Sequence, residues 1–188
     1  MNRIGEIDMD QGIAIWLTGL PASGKTTLAS ELAVRLRKMG QRVEILDGDE
    51  LRRTLSSDLG FSPQDRLEHN RRLIFLAKLL MRNGIFVLLP LISPYRQSRQ
   101  LARENLSRFI EVFVKCPIEV CIERDPKGLY ARALRGEIIE FTGISAPYEE
   151  PEHPDVVVET NKLSVEEAAE RIVSADITMY YLSMDYAI

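Results

Sequence analysis

The chain has 188 residues, of which 45% are apolar and 28% charged, with a formal net charge of −4. That length suits one large domain with a substantial core, and that balance lacks the basic footprint of a nucleic-acid binder. The longest apolar run, residues 85–92, is interrupted by Pro90 and too short to cross a bilayer.

No cationic leader with an apolar stretch is visible, so a cytoplasmic location is expected. The two cysteines, Cys116 and Cys121, have no histidine near them in sequence. Two reduced, partly buried thiols are expected there rather than a metal site. Residues 1–12 are polar and aperiodic and read as a loosely held terminus. Residues 13–17 form a short apolar run that predicts a buried strand, and Leu28, Ala29, Leu32, Ala33 and Leu36 then recur at helical spacing. Between them stand Gly19, Leu20, Pro21, Ala22, Ser23, Gly24, Lys25 and Thr26, which fit G-x-x-x-x-G-K-[ST] at every fixed position. A turn of this kind wraps phosphates with backbone N–H groups at a helix N-terminus, where the helix dipole favours negative charge. Lys25 is placed to reach the outer phosphates and the Thr26 hydroxyl to ligate Mg²⁺.

Gly40 stops the first helix, and residues 42–46 read as a second strand. Alternation of strand and helix predicts an α/β fold with right-handed crossovers, a mostly parallel sheet, and ligands at the carboxyl ends of its strands. Asp47-Gly48-Asp49 falls at such an end. A turn with a helix cap explains it structurally; a carboxylate that takes the proton of an attacking hydroxyl or holds Mg²⁺ explains it chemically. Residues 59–63 read as a turn before a helix over about 65–83 with Leu73, Leu76, Ala77 and Leu80 on its core stripe. Arg66 and Asn70, four apart, share a face near its start; that face is either solvated or suited to a phosphate or sulfate beside a hydroxyl. A third strand over 85–89 should end or bulge at Pro90. Ser93 and Pro94 predict an N-cap and first helical residue, and Arg103 and Arg108 read as solvated. Residues 109–114 form the next strand, followed by a helix from 117.

Residues 124–154 carry three glycines and several prolines and no long apolar stripe, which predicts a lid. A last strand over 155–158 precedes a capping box at 164–167 that opens a helix. His69 and His153 stand alone and are expected at the surface.

Several stretches together resemble the adenylylsulfate kinases: GLPASGKTT at 19–27, DGDELR at 47–52, DLGFSPQDRLEHNRR at 58–72, LISPYR at 91–96 and DPKGLYARALRGEIIEFTGISAPYEEP at 125–151. The resemblance implies a three-layer α/β/α P-loop NTPase fold with about five strands, one domain over 1–188, and a lid. It implies transfer of the ATP γ-phosphate, with Mg²⁺, to the 3′-hydroxyl of adenosine 5′-phosphosulfate during sulfate assimilation, by a homodimer. Gly19 through Thr26 together with Thr27 would bind ATP. Asp49 would be the base or charge organiser and, with Thr26, a metal ligand. Arg52, Arg66 and Asn70 would hold the phosphosulfate and ribose. Phe61 and Phe141 would sandwich the substrate adenine, Ile92 would form another wall, and Lys127 would approach the phosphates from the lid. Ser93 matches a serine the family describes as a phosphoserine intermediate. Pro21-Ala22, Pro90 and Pro126 depart from the family pattern without removing a functional group.

Two other readings stay open on sequence: another P-loop small-metabolite or nucleotide kinase, such as one acting on shikimate or gluconate, and a nucleotide-dependent switch. Against the switch, residues 161–164 begin an N-K-x-D pattern but end in Ser164.

Overall fold

A computed structural model describes residues 12–184. The expectation for the first residues therefore lies outside the described residues, apart from Gly12, whose amide donates to the Met81 carbonyl at 2.8 Å.

Five strands, β1 (Ala14–Thr18), β2 (Arg42–Ile45), β3 (Ile85–Pro90), β4 (Phe109–Lys115) and β5 (Val156–Glu159), form one sheet in the order β2-β3-β1-β4-β5. Every pairing is parallel. Period-two alternation explains the layers. Ile13, Ile15 and Leu17 point to one face with Leu28, Leu32 and Leu36 of α1 (Lys25–Lys38), while Ala14 and Trp16 point to the other with Leu73 and Ala77 of α3 (Pro63–Met81). α7 (Val165–Val173) and α8 (Asp176–Met184) join the first face through Ala169, Ile172 and Leu182; α4 (Arg96–Asn105) joins the second through Ala102. Both sheet faces are covered, giving the expected three-layer α/β/α arrangement.

The strand order reverses beside β1: the chain leaves β1 for β2, inserts β3 between them, and then crosses to β4 on the far side. A crevice outside the carboxyl ends of the strands follows from that reversal. β3 ends at Pro90, which lies opposite Leu17; the Leu91 amide, not the proline, donates to the Leu17 carbonyl at 3.0 Å.

Three local expectations need correction. α3 begins at Pro63 rather than 65, because Ser62 Oγ accepts from the Asp65 amide while the Asp65 carboxylate accepts from the Ser62 amide, a complete capping box. α4 begins at Arg96 with Tyr95 at its N-cap position, so Ser93 caps no helix. Ser93 instead has φ +43°, a left-handed backbone that side-chain-bearing residues seldom adopt. His69 and Arg108 are buried rather than solvated, and Arg103 bridges Glu111 and Asp155 at 3.2 and 2.8 Å.

The segment expected to be a lid has its own small core. α5 (Ile118–Arg124) and α6 (Leu129–Leu134) bring Cys116, Cys121, Tyr130, Ala133 and Phe141 together. Tyr130 meets Phe141 edge-on at 5.0 Å between ring centroids. Both cysteines are free, and both are buried, more deeply than the partial burial expected.

Candidate active site

The phosphate loop joins β1 to α1 at the strand-order reversal. Glycine is obligatory at 19, since a Cβ there would lie 2.4 Å from the Val114 carbonyl oxygen on the neighbouring strand. Gly24 occupies the N-cap position of α1 at φ +96°, where a Cβ would be strained. Lys25 turns back under the loop and its Nζ donates to the carbonyls of Gly19 and Leu20 at 2.9 and 2.6 Å. Burial pushes its ammonium down to about 8, against the pull of Cys121 and Asp49. Thr26 and Thr27 follow on the exposed first turn.

The two aspartates of the acid turn divide the readings that sequence left open. Asp47 is the N-cap of α2 (Gly48–Arg53), accepting from the Asp49 and Glu50 amides at 2.9 and 3.2 Å. Asp49 is thereby spared capping duty and its carboxylate stands exposed on the crevice wall, where it pairs with Lys127. A Cβ at Gly48 would lie 2.8 Å from Leu91 Cδ2, so a side chain there would push the leucine aside.

Opposite the loop, Arg52 and Arg66 flank Phe61, with guanidinium carbons 4.7 and 5.7 Å from its ring centre. Arg52 donates to the Gly60 carbonyl; Arg66 donates to the carbonyls of Phe61 and Glu140 at 2.8 and 2.9 Å. Among the described residues neither guanidinium has a carboxylate within ion-pair distance. Burial lowers the pKa of both, and Arg66 lowers Arg52's further. Two half-desolvated cations without an anion make a seat for one. Asn70, one helical turn from Arg66, is buried with its Nδ2 3.4 Å from Ser93 Oγ.

These parts line one cavity of about 620 Å³. Of the expected residues it contains Pro21, Ala22, Gly24, Lys25, Thr26 and Thr27 on one side. Asp49, Arg52, Phe61, Arg66, Asn70, Ile92, Ser93 and Lys127 complete the others. Gly19, Leu20 and Ser23 do not line the cavity, and Leu20 packs instead against the Tyr130 and Phe141 cluster. Phe141 is not brought to the wall: it is buried against Tyr130, although Glu140, the residue before it, is tied to Arg66. Left-handed non-glycine residues occur among the described residues at Ala22, Ser93 and Glu140 only, each in or beside this cavity.

Sequence reasoning missed a further flank formed by Arg124, Thr160, Leu163 and Val165. Thr160 Oγ1 donates to the Ser23 carbonyl at 2.8 Å, joining the end of β5 to the loop. The strand-end rule that singled out Asp49 applies equally to the end of β5 and could have found it. His69 was also missed: it lines the cavity with Nδ1 2.9 Å from Ser56 Oγ, and burial, then Arg52 and Arg72, pushes its pKa down to about 4.

Comparison with known proteins accords with this geometry. The family model for adenylylsulphate kinase matches residues 11–159. The chain belongs to the adenylylsulphate kinase family. A probable adenylyl-sulfate kinase of Pyrococcus abyssi is 52% identical over 172 residues, covering 92% of this chain and 99% of that protein. The adenylyl-sulfate kinase of Halothermothrix orenii is 52% identical over 163 residues, covering 87% and 88% of the two chains. Among solved structures, the Mycobacterium tuberculosis APS kinase CysC in complex with AMPPNP and APS superposes with a TM-score of 0.85 at 43% identity, covering 88% of this chain and 97% of that one.

Proposed function

We propose that this cavity is where the chain carries out the reaction of its family. The chain is an ATP-dependent kinase of adenosine 5′-phosphosulfate, and its product is the 3′-phosphorylated compound. One observation carries the assignment of sites: a single cavity joins a phosphate-binding loop to a pair of guanidinium groups that lack carboxylate partners, and its wall carries one aspartate, Asp49, that caps no helix and pairs only with Lys127.

The loop from Gly19 to Thr27 holds the ATP phosphates on its backbone amides, and Lys25 leaves the Gly19 and Leu20 carbonyls for the outer phosphates. Arg52 and Arg66 take the phosphosulfate end of the acceptor, Asn70 and the Ile92–Ser93 wall the ribose, and Phe61 one face of the adenine. Phe141 supplies the second face if the lid rearranges from the packing against Tyr130. Asp49 accepts the 3′-hydroxyl proton as the oxygen attacks. Lys127 shares its charge between Asp49 and the transferring phosphoryl group. Ser93 positions the ribose; direct in-line transfer between two bound substrates needs no phosphoserine.

No cluster of three His, Cys, Asp or Glu side chains occurs among the described residues that would cage a metal. That suits Mg²⁺, which binds through one or two protein oxygens together with substrate phosphates. Thr26 and Asp49 would hold it, and when bound it would neutralise charge on the phosphates. The same reading takes the whole chain as one domain with a lid over about 124–154, acting as a cytoplasmic homodimer in sulfate assimilation. No helix among the described residues is long and apolar enough to cross a membrane.

A coupled assay offering adenosine 5′-phosphosulfate, shikimate, gluconate and nucleoside monophosphates with Mg²⁺-ATP tests the reading. Turnover of the phosphosulfate alone is expected. Faster turnover of another acceptor would overturn it, and hydrolysis with no acceptor would favour the switch.

A further inference from the structure

The wall that carries Ile92 and Ser93 cannot hold its shape by itself, because Ser93 sits at φ +43°. A left-handed serine persists only where its surroundings over-determine it. Its carbonyl is held by Arg99, which is 2% exposed and whose guanidinium reaches three separate segments. Nη1 donates to the Ser93 carbonyl at 2.6 Å, Nη2 to the Glu149 carbonyl at 2.6 Å, and Nε lies 2.9 Å from Glu111 Oε1 on β4. The last contact is an ion pair off hydrogen-bond alignment, since Oε1 has no hydrogen-bond partner. Glu111 therefore compensates the buried charge, while the two carbonyls fix where the guanidinium points.

The far end of the lid is tied to the same wall by other bonds. The Glu149 amide donates to the Pro94 carbonyl at 2.8 Å, and the Glu149 carboxylate accepts from the Arg96 amide at 2.7 Å. Thr18 Oγ1 donates to the Ile92 carbonyl at 2.8 Å and so must accept from the Tyr148 hydroxyl, 3.0 Å away. The Tyr148 ring lies 5.9 Å from the Arg99 guanidinium. Residues 148–149 are thus the docked end of the lid, and Arg99, like Thr18, bonds both that end and the acceptor wall.

We propose that Arg99, held by Glu111, is a positioning residue for the acceptor: it fixes Ser93 and Ile92 and makes the acceptor's seat depend on the docking of Tyr148 and Glu149. Arg99 does not line the cavity. The inference rests on the kinase reading, in which this wall binds the ribose. It predicts that losing the fork affects the acceptor and spares ATP, whose loop receives no bond from Arg99.

The test is steady-state kinetics of the full chain with Arg99→Lys and Tyr148→Phe, each checked for folding by circular dichroism. Lysine keeps a charge beside Glu111 but cannot serve two divergent carbonyls as a planar fork does. Arg99→Lys is expected to raise KM for adenosine 5′-phosphosulfate about tenfold, the equivalent of one charge-assisted hydrogen bond, with KM for ATP within about twofold. Tyr148→Phe removes one hydroxyl, keeps the reading testable if the lysine variant does not fold, and should raise the same KM about threefold. A purely structural role would move both KM values together with the thermal midpoint, and that result, or an unchanged acceptor KM, overturns the inference. If the unaltered chain fails to phosphorylate adenosine 5′-phosphosulfate, the functional reading falls and this inference with it. If it does so and the variants match it, this inference falls alone.

Discussion

Replacing Asp49 by asparagine separates chemistry from stability, because the structure assigns this side chain almost no structural duty. Asp47, not Asp49, caps α2. The Asp49 and Lys127 side chains are 67% and 62% exposed, so their ion pair is screened and contributes at most ~1 kcal/mol. For a chain of this size that corresponds to a shift in thermal midpoint of no more than about 2–4 °C. A general base, by contrast, contributes roughly 10²–10⁴ in rate, or about 2.7–5.5 kcal/mol of transition-state stabilisation. Asp49→Asn should therefore lower kcat by about two to four orders of magnitude while Kd for ATP moves little and the midpoint barely changes. A coupled steady-state assay, calorimetry with a non-hydrolysable ATP analogue and a thermal melt read the three quantities. Lys127→Met is the control for the pair's structural share: it removes the same ion pair and leaves the carboxylate, so its thermal midpoint should shift no further than that of Asp49→Asn. A near-normal kcat in Asp49→Asn, or a loss of kcat that tracks a loss of stability, would refute the assignment.

Three further outcomes are expected. Lys25 titrates near 8 in the free protein and phosphates favour its charged form, so ATP binding should take up a proton at about pH 9 but not at about pH 6.5; equal proton uptake at the two pH values, measured by calorimetry in buffers of different ionisation heat, would contradict this. Folding depresses the His69 pKa from 6.5 to about 4, so the folded state binds fewer protons between those values and stability should fall as pH drops through that window. His69→Gln should flatten that part of a denaturation-against-pH profile, and an unchanged slope would count against burial of the neutral ring. Burial, and then Cys116, push the Cys121 thiol up to about 12, so it should react with a thiol reagent only when the chain is unfolded; rapid labelling of Cys121 in the folded protein would contradict its packing with Tyr130 and Phe141.

Much of this architecture could be read from the chain because local and tertiary signals agree there. The apolar periods that mark β1 and α1 are the ones that pack, and the capping box at Ser164 opens α7 as read. The phosphate loop was legible because a Cβ at 19 or 24 would not fit its backbone, so the glycines are fixed by geometry. Other features depend on partners distant in sequence. Nothing local distinguishes a buried His69 from an exposed one; Ser56, thirteen residues away, decides it. Ser93 looks like a helix cap beside Pro94, yet Arg99 and Asn70 hold it in a left-handed turn and α4 starts later. The small core of Cys116, Cys121, Tyr130, Ala133 and Phe141 is not legible locally because these residues share no period and are gathered by two short helices and a turn. The resemblance implies a substrate contact for Phe141, and its edge-on packing against Tyr130 is a feature of the fold that no motif carries.

The central claim is that Asp49 stands between the donor phosphates and one ribose hydroxyl of the acceptor, and the identity of the product tests it most directly. Phosphorus NMR of the material formed from Mg²⁺-ATP and adenosine 5′-phosphosulfate should show a new phosphate monoester on the ribose 3′ oxygen with the phosphosulfate bond intact. A phosphate on another oxygen, release of sulfate, or ADP accompanied only by inorganic phosphate would contradict it.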